Sequence, residues 1–272
     1  MLLQLNLGSE YLRIGTNVNV ILPDRPPVTS AKDYYTSGEK FKVLWLLHGS
    51  FGDYSDWVRK TNIELYATQR GVAVVMFSAM NTEYYSWPNF NLGYDPYSYL
   101  FDELMPLIHN WFPISSDPED NFIAGLSMGG FGATLYGFNR PELFGGIGAF
   151  SGVPFDFEHV QDHIEMNDRL ATLVEAHGGY DAYLKTPLNV WQKTKDYAAA
   201  LKQGTVKPLK LYFSCGDDDG LMFDAFLQYK DLVDGLGLKA RFDIGEGHGH
   251  TWEYWDISVL AALDYFGMER KK

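Results

Sequence analysis

The sequence predicts an α/β protein with a mostly parallel central sheet and helices on both faces. Short apolar segments recur at residues 17–24, 42–49, 71–79, 121–127, 145–152, 209–216 and 239–247. Most are continuous apolar runs rather than alternating ones, as a sheet buried on both faces requires. Longer stretches of helical pattern lie between them, and strands that alternate with helices pair in parallel. With 272 residues, of which 46% are hydrophobic, the chain is long enough to bury one large core.

Each element has its own local reason. NVNVILPD (17–24) alternates and stops at a proline, whereas KVLWLLHG (42–49) is apolar until it runs into HGSFGD. WVRKTNIELYATQR is helical, GVAVVMFSA (71–79) is the next strand, and YSYLFDELMPLIHNWF the next helix. NFIAGLS (121–127) breaks off at Gly-Leu-Ser-Met-Gly and passes directly into the helical GFGATLYGFNRPELF. GGIGAFSG (145–152), LKLYFSCG (209–216) and KARFDIGEG (239–247) complete the strands, with LMFDAFLQYKDLVDGLG and YWDISVLAALDYFGM as the last helices. Residues 153–205 lack strand character. They are expected as helices and loops inserted over the strand ends, a lid or one wall of a pocket in a single domain spanning 1–272.

Composition excludes several classes of function. A formal net charge of −13 opposes a polyanionic partner, because nucleic-acid binders carry basic patches that neutralise phosphates. Nucleic acid and anionic membrane surfaces are therefore discounted. No apolar run approaches the roughly 20 residues that span a bilayer. The single cysteine, Cys215, rules out an internal disulfide framework and any multi-cysteine zinc site. It is expected as a small buried hydrophobe at a strand end. MLLQLNLGSEYLRIG lacks the features of a secretory signal, so the expected location is cytoplasmic.

Open sheets of this kind bind ligands beyond the carboxyl ends of their strands, and that is where polar clusters occur here. Gly125-Leu126-Ser127-Met128-Gly129 has the form of a nucleophile elbow, a serine on a strained turn between strand and helix. A serine hydroxyl needs a base to take its proton, and the base needs a carboxylate to fix its tautomer. After the next strands come Asp217, Asp218 and Asp219, then His248 and His250, in the order that this architecture uses. One of the three acids is a candidate to orient the base, while the others cap the helix that begins near Leu221. Either histidine qualifies by position. An oxyanion requires donors, expected from the amides of Met128 and of Ser50, with Phe51 as the fallback. His48 is expected to brace its loop.

Taken together, VNVILP, WLLHGSFGDYSDW, GVAVVMFSAMNTEYY, ELMPLIHNWFPIS, IAGLSMGGFGA, SCGDDDGLM and GHGHTWEYW resemble the Putative esterase family of α/β hydrolases from about residue 15 to 266. That group includes tributyrin esterases of lactic acid bacteria, feruloyl and acetylxylan esterases, S-formylglutathione hydrolases and, more distantly, mycolyltransferases; the tributyrin and feruloyl branch is the most similar. The resemblance implies an α/β-hydrolase fold. It selects His250, which Thr251 and Trp252 follow, and Asp219, three residues past the glycine of the Cys-Gly turn. Relatives often carry a phenylalanine after that acid, whereas Gly220 and Leu221 follow here, which leaves Asp218 as the alternative. Tyr84, Tyr85 and Trp87 occupy a stretch that borders the substrate in relatives, and Trp57 and Trp252 are further candidates to line it. Aromatic planes there suit sugars or cinnamoyl rings, although such residues equally fill core.

The implied activity is that of a serine carboxylesterase acting through an acyl-enzyme. Its substrates would be short-chain acyl (acetyl to butyryl) or feruloyl esters of small-molecule or carbohydrate alcohols. The chemistry requires no metal or organic cofactor. An S-formylglutathione-type thioesterase, an acyltransferase and a non-catalytic binding protein on the same scaffold are the alternatives. Relatives commonly associate, so the resemblance also implies a homo-oligomer.

Overall fold

The computed structural model describes residues 1–90, 92–156 and 168–270. Its strands are β1 (Leu2–Gly8), β2 (Gly15–Ile21), β3 (Val43–Leu47), β4 (Ala73–Phe77), β5 (Asn121–Leu126), β6 (Gly146–Phe150), β7 (Lys210–Gly216) and β8 (Ala240–Gly245). They form one sheet in the order β1-β2-β4-β3-β5-β6-β7-β8. β3 to β8 pair in parallel, while β1 pairs antiparallel with β2 and β2 antiparallel with β4. β3 lies between β4 and β5, so the chain reverses its direction of travel across the sheet there, and a crevice opens at the carboxyl ends of β3 and β5.

β1 is absent from the sequence-based set. Leu3, Leu5 and Leu7 are half-buried while Leu2, Gln4, Asn6 and Gly8 are exposed. This period of two marks an edge strand covered on one face only. The central strands behave differently, for β3, β4, β5 and β6 are buried at every residue. Alternate side chains feed two cores. Val43, Trp45 and Leu47 of β3 join Val75 and Phe77 of β4 on one face, and Leu44 and Leu46 join Val74 and Met76 on the other. The first core is covered by the helices Met128–Asn139, Val190–Lys202 and Phe223–Gly235, the second by Ile63–Arg70 and Trp252–Tyr265.

Two expected helices are modified. The first divides into Asp56–Lys60 and Ile63–Arg70. The second carries a wide π-helical turn at Tyr99–Leu104 just before Pro106, whose ring would clash with the carbonyl four residues earlier in a regular helix. Between β6 and β7 the described residues contain the helices Asp168–Ala176, Tyr180–Tyr183 and Val190–Lys202 and no strand. Among the described residues no helix is long and apolar enough to cross a membrane.

The glycines around Ser127 are needed for close approach. A Cβ on Gly125 would stand 2.4 Å from the Gly129 carbonyl oxygen, and one on Gly129 would stand 2.6 Å from the Leu47 carbonyl oxygen. The helix Met128–Asn139 can therefore lie directly against β3 and β5, with Met128 through Phe138 all buried.

Candidate active site

Ser127 follows β5 and opens the helix Met128–Asn139 with φ 51° and ψ −122°, a conformation that a non-glycine residue adopts only under strain. Its neighbours hold it there. The Ser127 amide donates to Phe150 O at 2.8 Å, and the amides of Gly130 and Phe131 donate to Ser127 O at 2.9 and 3.2 Å. Because Met128 occupies the first turn, its amide belongs to the set that a helix leaves without an internal acceptor.

His250 reaches the serine from the loop after β8. Its Nε2 lies 3.0 Å from Ser127 Oγ, and its Nδ1 lies 2.8 Å from Asp219 Oδ2. The Asp219 side chain is wholly buried and His250 is 21% exposed, so the carboxylate is shielded while the ring still meets solvent. Asp219 Oδ1 accepts the amides of Leu221 and Met222, both at 3.1 Å. Burial by itself would raise the Asp219 carboxyl. The hydrogen bond and charge of His250, with the Leu221 amide, outweigh burial and hold it below its ordinary value. Asp219 is thus an anion aimed at the ring nitrogen remote from serine. Trp255 packs edge-on against the His250 ring at 4.8 Å between centroids and limits its rotation.

The three adjacent acids divide their tasks. Asp217 accepts the Gly247 amide at 2.7 Å, and the Asp218 amide donates to His248 O at 3.1 Å while its side chain is exposed. Neither caps the following helix as expected, because Asp219 itself takes the two amides that lead into it. The loops carrying Asp219 and His250 cross closely, and a Cβ on Gly216 would stand 1.9 Å from the His248 carbonyl oxygen. The His248 ring stacks on Tyr254 at 5.0 Å, and its imidazole has no hydrogen bond to Ser127 or Asp219.

His48 is buried at the end of β3. Its Nε2 accepts the Ala79 amide at 3.0 Å, so Nδ1 carries the proton and donates to Gly49 O at 2.7 Å. Burial lowers its pKa, keeping the ring neutral as a brace between two loops. The next residues border Ser127: a Cβ on Gly49 would stand 3.4 Å from Ser127 Cβ, and Ser50 lines the same pocket. Phe51 differs from the expected fallback donor, since its amide already donates to Asn81 Oδ1 at 2.8 Å. Cys215 is buried in β7, where burial and the charge of Asp219 push the thiol up to about 12. Its Sγ lies 3.7 Å from Asp219 Oδ2.

A cavity of about 400 Å³ opens beside Ser127, walled by Met128, Phe131, Val153, Leu173, Tyr183 and Met222, with Glu83 as its carboxylate. None of the five aromatic residues expected to contact substrate, Trp57, Tyr84, Tyr85, Trp87 and Trp252, lines it. Trp57 and Tyr84 are 1% and 0% exposed, which makes them core. The Trp57 indole donates to Leu47 O at 2.9 Å, and Tyr84 OH donates to His48 O at 2.9 Å. Tyr84 fills the space left by Gly132, whose Cβ would stand 2.5 Å from the ring. Trp252 packs against Trp57 and Trp255 with Lys60 over its face, and Tyr85 packs against Tyr97 and His177. Met128 and Phe131 were within reach of sequence reasoning, being in the first turn after the serine. Leu173 and Tyr183 carry no local signal. Among the described residues no group of three His, Cys, Asp or Glu side chains is placed to hold a metal ion.

A hydroxyl, an imidazole and a buried carboxylate joined in this order at the strand ends of such a sheet define a serine hydrolase of the α/β-hydrolase class. The chain belongs to the family described as Putative esterase, whose model matches residues 9–266, and it is a serine carboxylic ester hydrolase. It is 29% identical, over 97% of both chains, to a protein named acetyl esterase from Caldicellulosiruptor saccharolyticus. It is similar in structure to the fluorophosphonate-binding serine hydrolase FphF of Staphylococcus aureus, with TM-score 0.78, 26% identity and 98% of both chains covered. The S-formylglutathione hydrolase FrmB of the same organism gives TM-score 0.79 at 25% identity, again over 98% of both chains.

Proposed function

We propose that Ser127 is the nucleophile, His250 the general base and acid, and Asp219 the residue that fixes the histidine tautomer, in the hydrolysis of short-chain acyl esters. The observation that carries this reading is the pair of hydrogen bonds on opposite nitrogens of His250, to Ser127 Oγ at 3.0 Å and Asp219 Oδ2 at 2.8 Å. Ser127 attacks the ester carbonyl as His250 takes its proton, and the amides of Met128 and Ser50 receive the oxyanion. The ring returns the proton to the departing alcohol. Water, deprotonated by the same ring, then releases the acid from the acyl-enzyme.

The apolar cavity beside Ser127 takes the acyl group; its size accommodates acetyl to butyryl chains as well as a feruloyl group. The name of the acetyl esterase relative supports the short-chain end of that range. A wider basin of about 890 Å³ adjoins the cavity through Phe155 and Leu221, and it presents Asp156, Asp217, Asp218, Asp224 and Asp231. Such a wall disfavours an anionic leaving group and favours a neutral or hydroxyl-rich alcohol, including carbohydrate. This supports oxygen esters over S-formylglutathione, whose leaving group carries carboxylates. The described part of the 153–205 segment, in this reading, is a wall of the site within a single domain, since Val153, Leu173 and Tyr183 belong to it, while residues 157–167 of the expected insertion lie outside the described residues. A cytoplasmic location fits a single free cysteine. Homo-oligomerisation comes from the resemblance alone, and light scattering tests it.

A panel of p-nitrophenyl acetate, butyrate and octanoate, methyl ferulate, an acetylated sugar and S-formylglutathione tests the function. The highest kcat/KM is expected among the short-chain oxygen esters. A preference for S-formylglutathione would replace this reading with the thioesterase one.

A further inference from the structure

Two walls of the Ser127 cavity come from segments far apart in sequence. Leu173 and Tyr183 belong to the helices Asp168–Ala176 and Tyr180–Tyr183, and Glu83 to the loop after β4. His177 stands where these segments meet. Its Nδ1 lies 2.8 Å from Leu173 O and its Nε2 lies 3.1 Å from Ser86 O. The ring packs against Tyr85 at 5.6 Å and against Trp87 and Tyr183 at 6.3 Å between centroids.

A carbonyl oxygen only accepts. Neutral imidazole has a single N–H, so it bonds one of these carbonyls and turns a lone pair toward the other; imidazolium donates to both. We propose that His177 is a positioning residue for substrate binding, a donor to both sides that joins the Leu173–Tyr183 wall to the loop of residues 83–87 and makes both links only when protonated. The inference rests on the Ser127 cavity being the ester site. The other titratable groups packed there are the phenols of Tyr85 and Tyr183, both raised by burial and so neutral throughout the histidine range. Glu83 contributes negative charge from the facing loop, and exposed Glu175 and Asp181 flank His177 on its own segment. The His177 ring bonds Leu173 O and Ser86 O rather than Ser127 or His250, so it acts on binding, whereas His250 acts on turnover.

The test separates KM from kcat for p-nitrophenyl butyrate between about pH 6 and about pH 8. In the unmodified protein KM is expected to rise about 2- to 10-fold toward the alkaline end, the effect of losing one hydrogen bond. His177→Gln, which cannot span both carbonyls, is expected to show the higher KM at every pH while kcat keeps its pH profile. An unchanged KM, or the same KM trend in the variant, overturns the proposal. Amide hydrogen exchange of the unmodified protein serves where the variant folds poorly. Corrected for intrinsic rates, protection at residues 171–187 is expected to be greater at the acid end, and equal protection overturns the proposal. Retained turnover in Ser127→Ala would instead remove the underlying site, whatever the exchange result.

Discussion

Asp219 and His250 face each other across 2.8 Å, with the carboxylate wholly buried and its second oxygen occupied by the amides of Leu221 and Met222. That second oxygen decides what happens when the acid is changed. In Asp219→Asn the remaining oxygen stays with the two amides, so the NH2 group turns to His250 and forces Nδ1 to accept. The ring then carries its proton toward Ser127 and cannot act as base. We expect kcat to fall about 10⁴-fold. Asp218→Asn, altering an exposed side chain, is expected to remain near the unmodified rate. Initial rates on p-nitrophenyl acetate compare them, and the reverse ranking would move the acid to Asp218.

Ser127→Ala is expected to lower kcat by about 10⁴-fold or more and to abolish labelling by a fluorophosphonate probe. The melting temperature should change little, because the backbone bonds that hold the elbow involve the Ser127 amide and carbonyl rather than its hydroxyl. Substantial turnover in a well-folded variant would dismiss Ser127 as nucleophile.

His48 gives a pH signature in stability rather than activity. Burial lowers its pKa beneath the ordinary 6.5, so the unfolded chain takes up the proton first as pH falls. Its contribution is complete above about pH 6.5 and declines below that value. His48→Gln is expected to cost about 1–3 kcal/mol at neutral pH, by disturbing the bonds to Ala79 and Gly49. The deficit should shrink as pH is lowered. Urea unfolding of both proteins at neutral and mildly acid pH measures it, and a constant difference would contradict the assignment.

Gly129→Ala and Gly132→Ala should differ in severity. The added methyl on Gly129 meets the backbone carbonyls of Leu47 and His48, at 2.6 and 2.5 Å, and strands cannot easily yield. On Gly132 it meets the Tyr84 ring, a side chain with some freedom to shift. We expect Gly132→Ala to cost about 1–3 kcal/mol and Gly129→Ala more. Thermal melts rank them, and equal stability would show that the helix does not bear on β3 as closely as described.

The legible parts of this protein were those written in local pattern. β3 to β7 are apolar because both faces are covered, and the turn at Ser127 is marked by the glycines that its close contacts demand. β1 was equally written, in the alternation of Leu3, Leu5 and Leu7, but an edge strand covered on one face gives a weaker run. The aromatic residues near the strand ends were not decidable locally. Tyr84 and Trp57 have the side chains of either a binding platform or a core, and only the space left by Gly132 and the carbonyl of Leu47 assigns them to the core.

By itself, the order of residues determined a parallel α/β sheet, a serine on a sharp turn at a strand end, and acids and histidines at later strand ends in the sequence that such chemistry uses. Local pattern left the choice among neighbours open; the resemblance selected His250 and Asp219, with Asp218 as the alternative, and the tertiary structure supplies the geometry behind that choice. Asp219 rather than Asp218 faces the ring, His250 rather than His248 faces the serine, and Leu173 and Tyr183 arrive from a distant segment to wall the cavity. The reason is physical: strand and turn formation depend on near neighbours, whereas the direction of a loop side chain depends on which distant backbone fills the space beside it.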